Sequence, residues 1–502
     1  MWLIVVVHLN VFQKFNVAMD QNTYVILTVL VLYKLALVGV GLWAQRRSGN
    51  IQNFLIGDRQ LGPVVAAVSY AASSSSAWTL LGMSGIAFTL GLPAVWFVVG
   101  SIGGMVISWV FIAPKLMQLS HQRKLITLTD ALVLDVQGAW RKPIIYGASL
   151  TIIVCFSFYV AAQLQGAGQT FNHAFGVDQQ NSILIGAVII LVYTLLGGFW
   201  AVSVTDTIQG ILMFFAALLL PIAAYLSLGG LANFWAAYSE IATSTQVHWF
   251  NNRAGLAALG FVLGVIGVSF GTFGQPHLLV RFMALRDTKA LAQARVIAIV
   301  WFTIVFGGMF FLGLAGRVLV GDLSNAESVF IVLAEKLFSP IVAGIIIAAL
   351  LSAIMSTADS QLLAGSAAIS HDLGLNRYFK GHEIFVSRLA ITFMLIGSCF
   401  IALNIPATIF DRALLSWSSL GAAFGPLIIS KILGSKASPR AQFFAMAGGF
   451  VTAVWFHFNP QSLAWAIDTQ YIAGSVHERV SSFLLGAFIL FCSHVLNQRA
   501  RN

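Results

Sequence analysis

Two clusters of small oxygen-bearing side chains interrupt stretches that are otherwise apolar. The first is Tyr70-Ala71-Ala72-Ser73-Ser74-Ser75-Ser76-Ala77-Trp78, inside a run from Gly62 to Leu92. The second is Ala353-Ile354-Met355-Ser356-Thr357-Ala358-Asp359-Ser360-Gln361. On a helix Ser356 and Ser360 share a face, with Thr357 beside them. Oxygen ligands of this kind suit a hard alkali cation, whereas a transition metal would favour His or Cys. A carboxylate at membrane depth costs at least about 2.5 kcal/mol on insertion scales, so Asp359 needs a cation or a function. Asp206, in Val204-Thr205-Asp206-Thr207 at the start of another apolar run, has two readings, a cation ligand or an N-cap at a cytoplasmic helix end. The serine run likewise reads either as a helix broken around a binding site or as a close-packing face. Lys34, midway along the first apolar run, reads as a side chain that snorkels or pairs with a buried carboxylate.

The elements that must hold these groups follow from composition. Hydrophobic residues make up 59% and charged residues 9% of the 502 residues, against about 25% charged in soluble domains. The chain reads as an all-α integral membrane protein whose apolar runs match the thickness of a bilayer for helices, with no strand alternation. The net charge of +10 is spread over short loops and forms no nucleic-acid patch; topology accounts for it. Cys155, Cys399 and Cys492 fall in apolar runs and suggest neither disulfides nor a metal cluster. No phosphate-cradling lysine motif and no nucleophile with its base accompany the acids, so an enzyme is not expected and no cofactor is implied.

In chain order, residues 1–22 read as an N-terminal extension, with Met19 as a candidate start, and residues 23–44 as a peripheral first span followed by the basic Gln45-Arg46-Arg47. Spans are expected at 62–92, 93–112, 143–170, 181–200, 203–228, 254–276, 295–320, 339–366, 384–404, 408–433, 441–457 and 481–496, about thirteen in all. The basic loops around Arg123, Arg281, Arg377 and Lys436 then share one side, inside, with the N-terminus outside and Arg499 and Arg501 inside. Trp235, Trp249 and Trp465 fall in or beside outer loops as interfacial anchors. Hydropathy lets the spans of 62–228 be mirrored by those of 254–433, leaving 441–502 as two last spans and a tail. Each set opens on an interrupted helix, the second being Gly264-Val-Ile-Gly267-Val-Ser269-Phe-Gly271-Thr272-Phe-Gly274-Gln275-Pro276. Broken helices at equivalent positions point to a transporter's central site, with glycine-mediated packing as the alternative.

Four motifs carry a resemblance: Phe54-Leu-Ile-Gly57-Asp-Arg59-Gln-Leu-Gly62-Pro63, the serine run continuing to Trp78-Thr-Leu-Leu-Gly82-Met-Ser-Gly85, Gly274-Gln275-Pro276-His277-Leu-Leu-Val-Arg281-Phe282-Met283, and Met355-Ser356-Thr357 with Gln361-Leu-Leu. From about residue 23 onward the chain resembles the sodium:solute symporter family, and within it the sodium/proline symporters. The resemblance implies thirteen transmembrane helices, the second to eleventh forming two inverted five-helix repeats, in a plasma (inner) membrane. It implies a sodium site of backbone carbonyls at Ala72, Ser75 and Ala353 with the hydroxyls of Ser356 and Thr357. It also implies a second cation site at Asp206, Ser356, Asp359 and Ser360, and substrate-side positions at Ser76, Ala77, Trp78, Tyr159 and Phe273. Three positions depart from the proline symporters. Ser74 stands where they carry an aspartate tied to sodium use, and Val268 and Thr272 stand where they carry aromatic residues.

The expected function is sodium-coupled symport of a small organic solute, proline or another small amino acid or carboxylate, by alternating access. The partners are that solute, sodium and the lipid bilayer; the sequence gives no oligomeric state. The alternatives are a sodium-independent or proton-coupled carrier, made credible by Ser74 and Asp359, and a solute sensor with the same fold.

Overall fold

The structure, a computed structural model, describes residues 21–45, 51–196, 198–460 and 476–499. The expectations for residues 1–20, Arg46, Arg47, Trp465 and Arg501 lie outside the described residues.

Continuous apolar sequence leaves the backbone no partner in lipid except itself, so the chain folds as helix after helix. Among the described residues, eleven helices are long and apolar enough to cross a membrane, or twelve when the bent pair Pro63–Ser74 and Trp78–Leu90 is taken as one span. The long helices are α1 (Gln21–Gln45), α2 (Pro63–Ser74), α3 (Trp78–Leu90), α4 (Leu92–Arg123), α5 (Arg141–Phe175), α6 (Gln179–Leu196) and α7 (Phe199–Ser227). They continue as α8 (Gly255–Gly274), α9 (Pro276–Ala284), α10 (Thr288–Val320), α11 (Pro340–Asp372), α12 (Glu383–Asn404), α13 (Ile409–Ile432), α14 (Pro439–Phe458) and α15 (His477–Arg499). Pro63, Pro276, Pro340 and Pro439 open their helices at the first turn, where a missing N–H costs nothing. Short helices that the apolar pattern did not announce, Leu231–Ile241, Ser244–Val247 and Val329–Leu337, fill the connections before α8 and α11.

Burial separates centre from periphery. In the apolar windows of α11 and α13, 83% and 89% of residues are buried, against 17% in α1 and 22% in α15. Polar residues tolerated in α11 are therefore turned toward protein. α2, α5, α7 and α12 pack around α11, with α1 on its outer side. Trp235 and Trp249 are exposed, as interfacial anchors require.

Both expected interruptions are present. α2 and α3 meet at 61°; Ser75 leaves helical geometry at φ −99°, ψ 81°, and a wide π turn, Trp78–Gly82, starts the second half. The other interruption falls at Gln275, which is extended at φ −85°, ψ 105° between the last turn of α8 and Pro276. The ends of the two broken helices remote from the breaks are tied together, since Leu61 N donates to Ala284 O at 3.0 Å and Arg286 N to Leu61 O at 3.1 Å.

Two sequence readings need correction. Asp206 is not an N-cap: α7 starts at Phe199 with Gly198 as its cap, and Asp206 lies about two turns inside, fully buried. Arg281 is not a loop residue on the inner surface: it belongs to α9 and is 1% exposed. One cause explains both, because the two side chains pair with each other. At the other break, Gly271 lies so close to α13 that a β-carbon there would overlap the Trp417 ring. Gly271→Ala should therefore cost about 1–3 kcal/mol by overpacking, read as a lower thermal midpoint in detergent, and shrinking the ring with Trp417→Leu in the same chain should recover most of it.

Candidate functional site

The break at Ser75 strips two carbonyls of their helical partners and turns them toward α11. Ser356 Oγ donates to Ala72 O at 3.1 Å and lies 3.2 Å from Ala353 O. Thr357 Oγ1 donates to Ser73 O at 3.1 Å. Four of the five expected sodium ligands, Ala72, Ala353, Ser356 and Thr357, are thus on facing surfaces of the break and α11. The fifth, Ser75, is buried at the bend, with a hydroxyl that has no hydrogen-bond partner among the described residues. The Ser73 carbonyl, which sequence reasoning did not single out although the serine run held it, lies on the same surface. Ser74 Oγ turns back to Ala71 O at 2.9 Å, closing the helix end.

Asp206 and Ser360 come together as expected, joined by Ser73: Ser73 Oγ lies 2.9 Å from Asp206 Oδ2, and Ser360 Oγ lies 3.1 Å from the same oxygen. The unexpected member is Arg281, which donates from Nη2 to Asp206 Oδ2 at 2.8 Å. Its signal in the sequence was present but ambiguous, one arginine among the several that follow the second broken helix. Asp359 is fully buried, and neither carboxylate oxygen has a hydrogen-bond partner among the described residues. One turn before it, Met355 Sδ receives Lys34 Nζ from α1 at 2.6 Å. A half-buried ammonium thus approaches the α11 face that carries Asp359.

On the other side of the break, Ser76 Oγ lies 3.4 Å from Tyr159 Oη, and Ala77 N donates to Gln163 Oε1 at 3.1 Å. Gln163 was not singled out in the sequence, but it supplies the acceptor for the first free N–H of the second half-helix. Trp78 packs against Phe306, Phe410 and Trp417 with ring centres 5.7, 6.1 and 6.3 Å away. Trp417 Nε1 donates to Val268 O at 2.9 Å, and Gln275 Nε2 donates to Trp417 O at 3.1 Å, linking the two breaks through α13. Ser76, Ala77, Trp78 and Tyr159 thus gather at the bend, where Tyr159 and Trp78 both pack on the Trp417 ring, beside a small chamber that Trp78 lines. Phe273 does not join them; its ring packs on Phe270 and Phe483. Phe410 and Trp417 take its place, contributed by an apolar helix whose aromatics carry no distinguishing pattern.

This chamber is closed. Between Trp78, Val268, Phe410, Ala413, Leu414 and Trp417 a cavity of about 10 Å³ remains, room for roughly one water. The start of α13, which brings Phe410 over Trp78, is pinned by Glu327, whose carboxylate accepts from Phe410 N at 3.1 Å and Ile409 N at 3.4 Å. A larger cavity of about 40 Å³ runs from Arg281 and Ser360 to Thr127 and Asp372. At its far end Thr127 Oγ1 donates to Asp372 Oδ1 at 2.8 Å, and Asp130 lies 3.5 Å from His371 Nε2. Burial works against the charge on Asp130, but hydrogen bonds from His371 and from the N–H groups of Ile126 and Thr127 hold its carboxyl below the ordinary range. The stabilisation from Asp130 is thus present above that range and is lost as the pH falls through the depressed value.

Gln163→Leu should leave the buried Ala77 N–H unpaired at a cost of about 1–3 kcal/mol. A fall in thermal midpoint for Gln163→Leu, with a smaller fall for Gln163→Glu, which keeps the acceptor, is the expected result.

Comparison with known proteins places this geometry. Residues 54–449 match the sodium:solute symporter family. The chain is 30% identical over 467 residues to the high-affinity proline transporter PutP of Bacillus subtilis, covering 91% of this chain and 95% of that protein. It is also 30% identical over 500 residues to the sodium/proline symporter of Staphylococcus aureus, covering 96% and 94%. Among solved structures, a substrate-bound, outward-open sodium-coupled sialic acid symporter superposes with a TM-score of 0.75 at 18% identity, over 94% of this chain and 97% of that one. A nucleobase-cation-symport-1 family transporter in a closed conformation superposes with a TM-score of 0.52 at 12% identity, over 90% and 95%. At such identities the two structures speak for the fold alone.

Proposed function

This chain belongs to the sodium:solute symporter family and is a sodium-coupled transporter, not an enzyme; on that premise we propose that it imports a compact amino acid or related carboxylate, L-proline first, together with sodium. The observation that carries this reading is the meeting of Ser356 Oγ with the freed Ala72 carbonyl across the break. Sodium takes Ala72, Ser75 and Ala353 through their carbonyls and Ser356 and Thr357 through their hydroxyls, joining α2 to α11. The solute lies against Ser76, Ala77, Trp78 and Tyr159 on the other side of the bend, where half-helix N–H groups suit a carboxylate and aromatic faces enclose an apolar body. Phe273 acts on that chamber from behind, through α8. Sugars fit poorly, since their hydroxyls would call for more polar side chains than Trp78, Phe410, Trp417 and Val268 offer.

The relatives named for proline support the solute class, while Val268 and Thr272, both buried, enlarge the α8 side relative to aromatic residues. Asp359 supplies the negative charge that Ser74 lacks, from α11 in place of α2. Its two unpaired oxygens favour one further reading, in which a proton on Asp359 replaces or accompanies sodium.

Topologically, the bent pair and α6 complete thirteen crossings with the eleven long helices. Residues 62–228 and 254–433 are the inverted repeats, residues 23–44 the peripheral first helix and 441–502 the last two. The protein lies in the plasma (inner) membrane with its N-terminus outside and its C-terminus in the cytoplasm. Alternating access then moves the solute between a route covered by Phe410 and the cavity that ends at Asp372.

Ser356→Ala and Thr357→Ala should each raise the sodium concentration for half-maximal L-proline uptake in proteoliposomes, because a hard-ion ligand is lost. Unchanged sodium dependence in both would remove the ion from α11. Asp359→Asn should abolish accumulation against a gradient; accumulation equal to the parent's would dismiss its charge from coupling. Competition against L-proline should come from small amino acids and short carboxylates, and competition from sugars alone would refute the solute class.

A further inference from the structure

Two of the three oxygens around Arg281, those of Asp206 and Ser360, belong to the second cation site that the resemblance implied, and the third is Ser73 Oγ. Arg281 Nη2 lies 2.8 Å from Asp206 Oδ2, 2.7 Å from Ser73 Oγ and 2.6 Å from Ser360 Oγ. Those three oxygens are themselves only 2.9, 3.1 and 3.1 Å apart. They come from three helices, α2, α7 and α11, and form a small triangle that one cationic nitrogen caps. The rest of the guanidinium is held as firmly. Nε donates to Ser69 Oγ at 3.3 Å, Nη1 donates to the His277 carbonyl, and the plane sits 5.7 Å from the centre of the Phe199 ring. All of these groups lie in the interior, Arg281 being 1% and Asp206, Ser69, Ser73 and His277 0% exposed.

We propose that the Arg281 guanidinium is the resident cation of this cage, so that the protein carries a sodium ion at the Ser356–Thr357 site and none at Asp206. The cage itself has one carboxylate and two hydroxyls, and Arg281 compensates that one charge; Asp359, the other buried carboxylate nearby, makes no hydrogen bond to the cage among the described residues. A sodium ion placed on the same oxygens would face the guanidinium at contact distance in a buried site, where like charges repel far more strongly than in bulk water. Tethered to α9, the guanidinium cannot leave with the solute. It also lines the cavity that runs to Asp372, at the inner end of the path from the sodium site. The cage therefore serves as a fixed positive stop that joins α2, α7, α9 and α11, in place of a site that loads and empties. The assignment of Arg281 to the cage rests on the sodium coupling proposed above, but not on which residues hold the transported ion.

The test is a count of sodium ions bound per chain, by equilibrium binding of radioactive sodium at pH 8.5 to the full-length protein in lipid nanodiscs. One ion per wild-type chain is expected, with no change in Asp206→Asn. Arg281→Met should gain one ion, and Asp206→Asn added to that variant should remove the gain. Two ions per wild-type chain, falling to one in Asp206→Asn, would overturn the proposal, as would no gain in Arg281→Met. Should the arginine variant not fold, the wild-type count decides alone, one supporting and two refuting. Failure of the α11 assignment reads differently, as a count that Ser356→Ala leaves unchanged.

Discussion

A polar group at the depth of a bilayer has no water to fall back on, and the structure is arranged around that constraint. Ser75 ends a helix in mid-span, which frees carbonyls on one side of the bend and N–H groups on the other. The carbonyls meet Ser356 and Thr357 on the most central long helix but one; the first N–H meets Gln163 on α5. The same bend therefore creates an acceptor-rich surface suited to a cation and a donor-bearing surface suited to an anion. A bound cation and a bound carboxylate would each stabilise the arrangement that the other needs, and coupling between them is reciprocal.

The second break repeats the logic with different means. Gln275 leaves helical geometry and ties itself to α13 through the Trp417 carbonyl, while Trp417 reaches back to Val268 O. The chamber proposed for the solute is thus bounded by both broken helices and by α13, so that movement of α13 relative to either break would change its volume. The hydrogen bonds of Glu327 to the start of α13 and the contact of Thr127 with Asp372 lie at opposite ends of this assembly.

Most of the fold was legible because lipid makes sequence simple. Apolar length gave the helices, and glycine, proline and serine within those lengths gave both interruptions. The oxygen-rich face of α11 was legible from spacing, since Ser356, Thr357 and Ser360 must lie on adjacent strips of one helix. What stayed hidden were pairings between distant segments. Arg281 looks like any positively charged loop residue until α9 packs against the end of α4 and beside α2, which brings its guanidinium to Asp206 on α7, and Asp206 looks like a cap until the helix start is seen at Phe199. Phe410 and Trp417 sit in a helix already rich in large apolar residues, so nothing local set them apart from Phe273, which packs against α15 instead. Gln163 was silent for the same reason, its role existing only once Ala77 has lost its helical partner.

The central claim is that an alkali cation held between the bend at Ser75 and α11 supplies the driving force for solute entry. It is tested most directly in proteoliposomes loaded without substrate, by following L-proline accumulation under an inward sodium gradient with no proton gradient, and under an inward proton gradient in sodium-free buffer. Accumulation above the external concentration under the first condition and none under the second is the predicted result. Accumulation driven by protons alone, or equilibration without concentration under both, would contradict it.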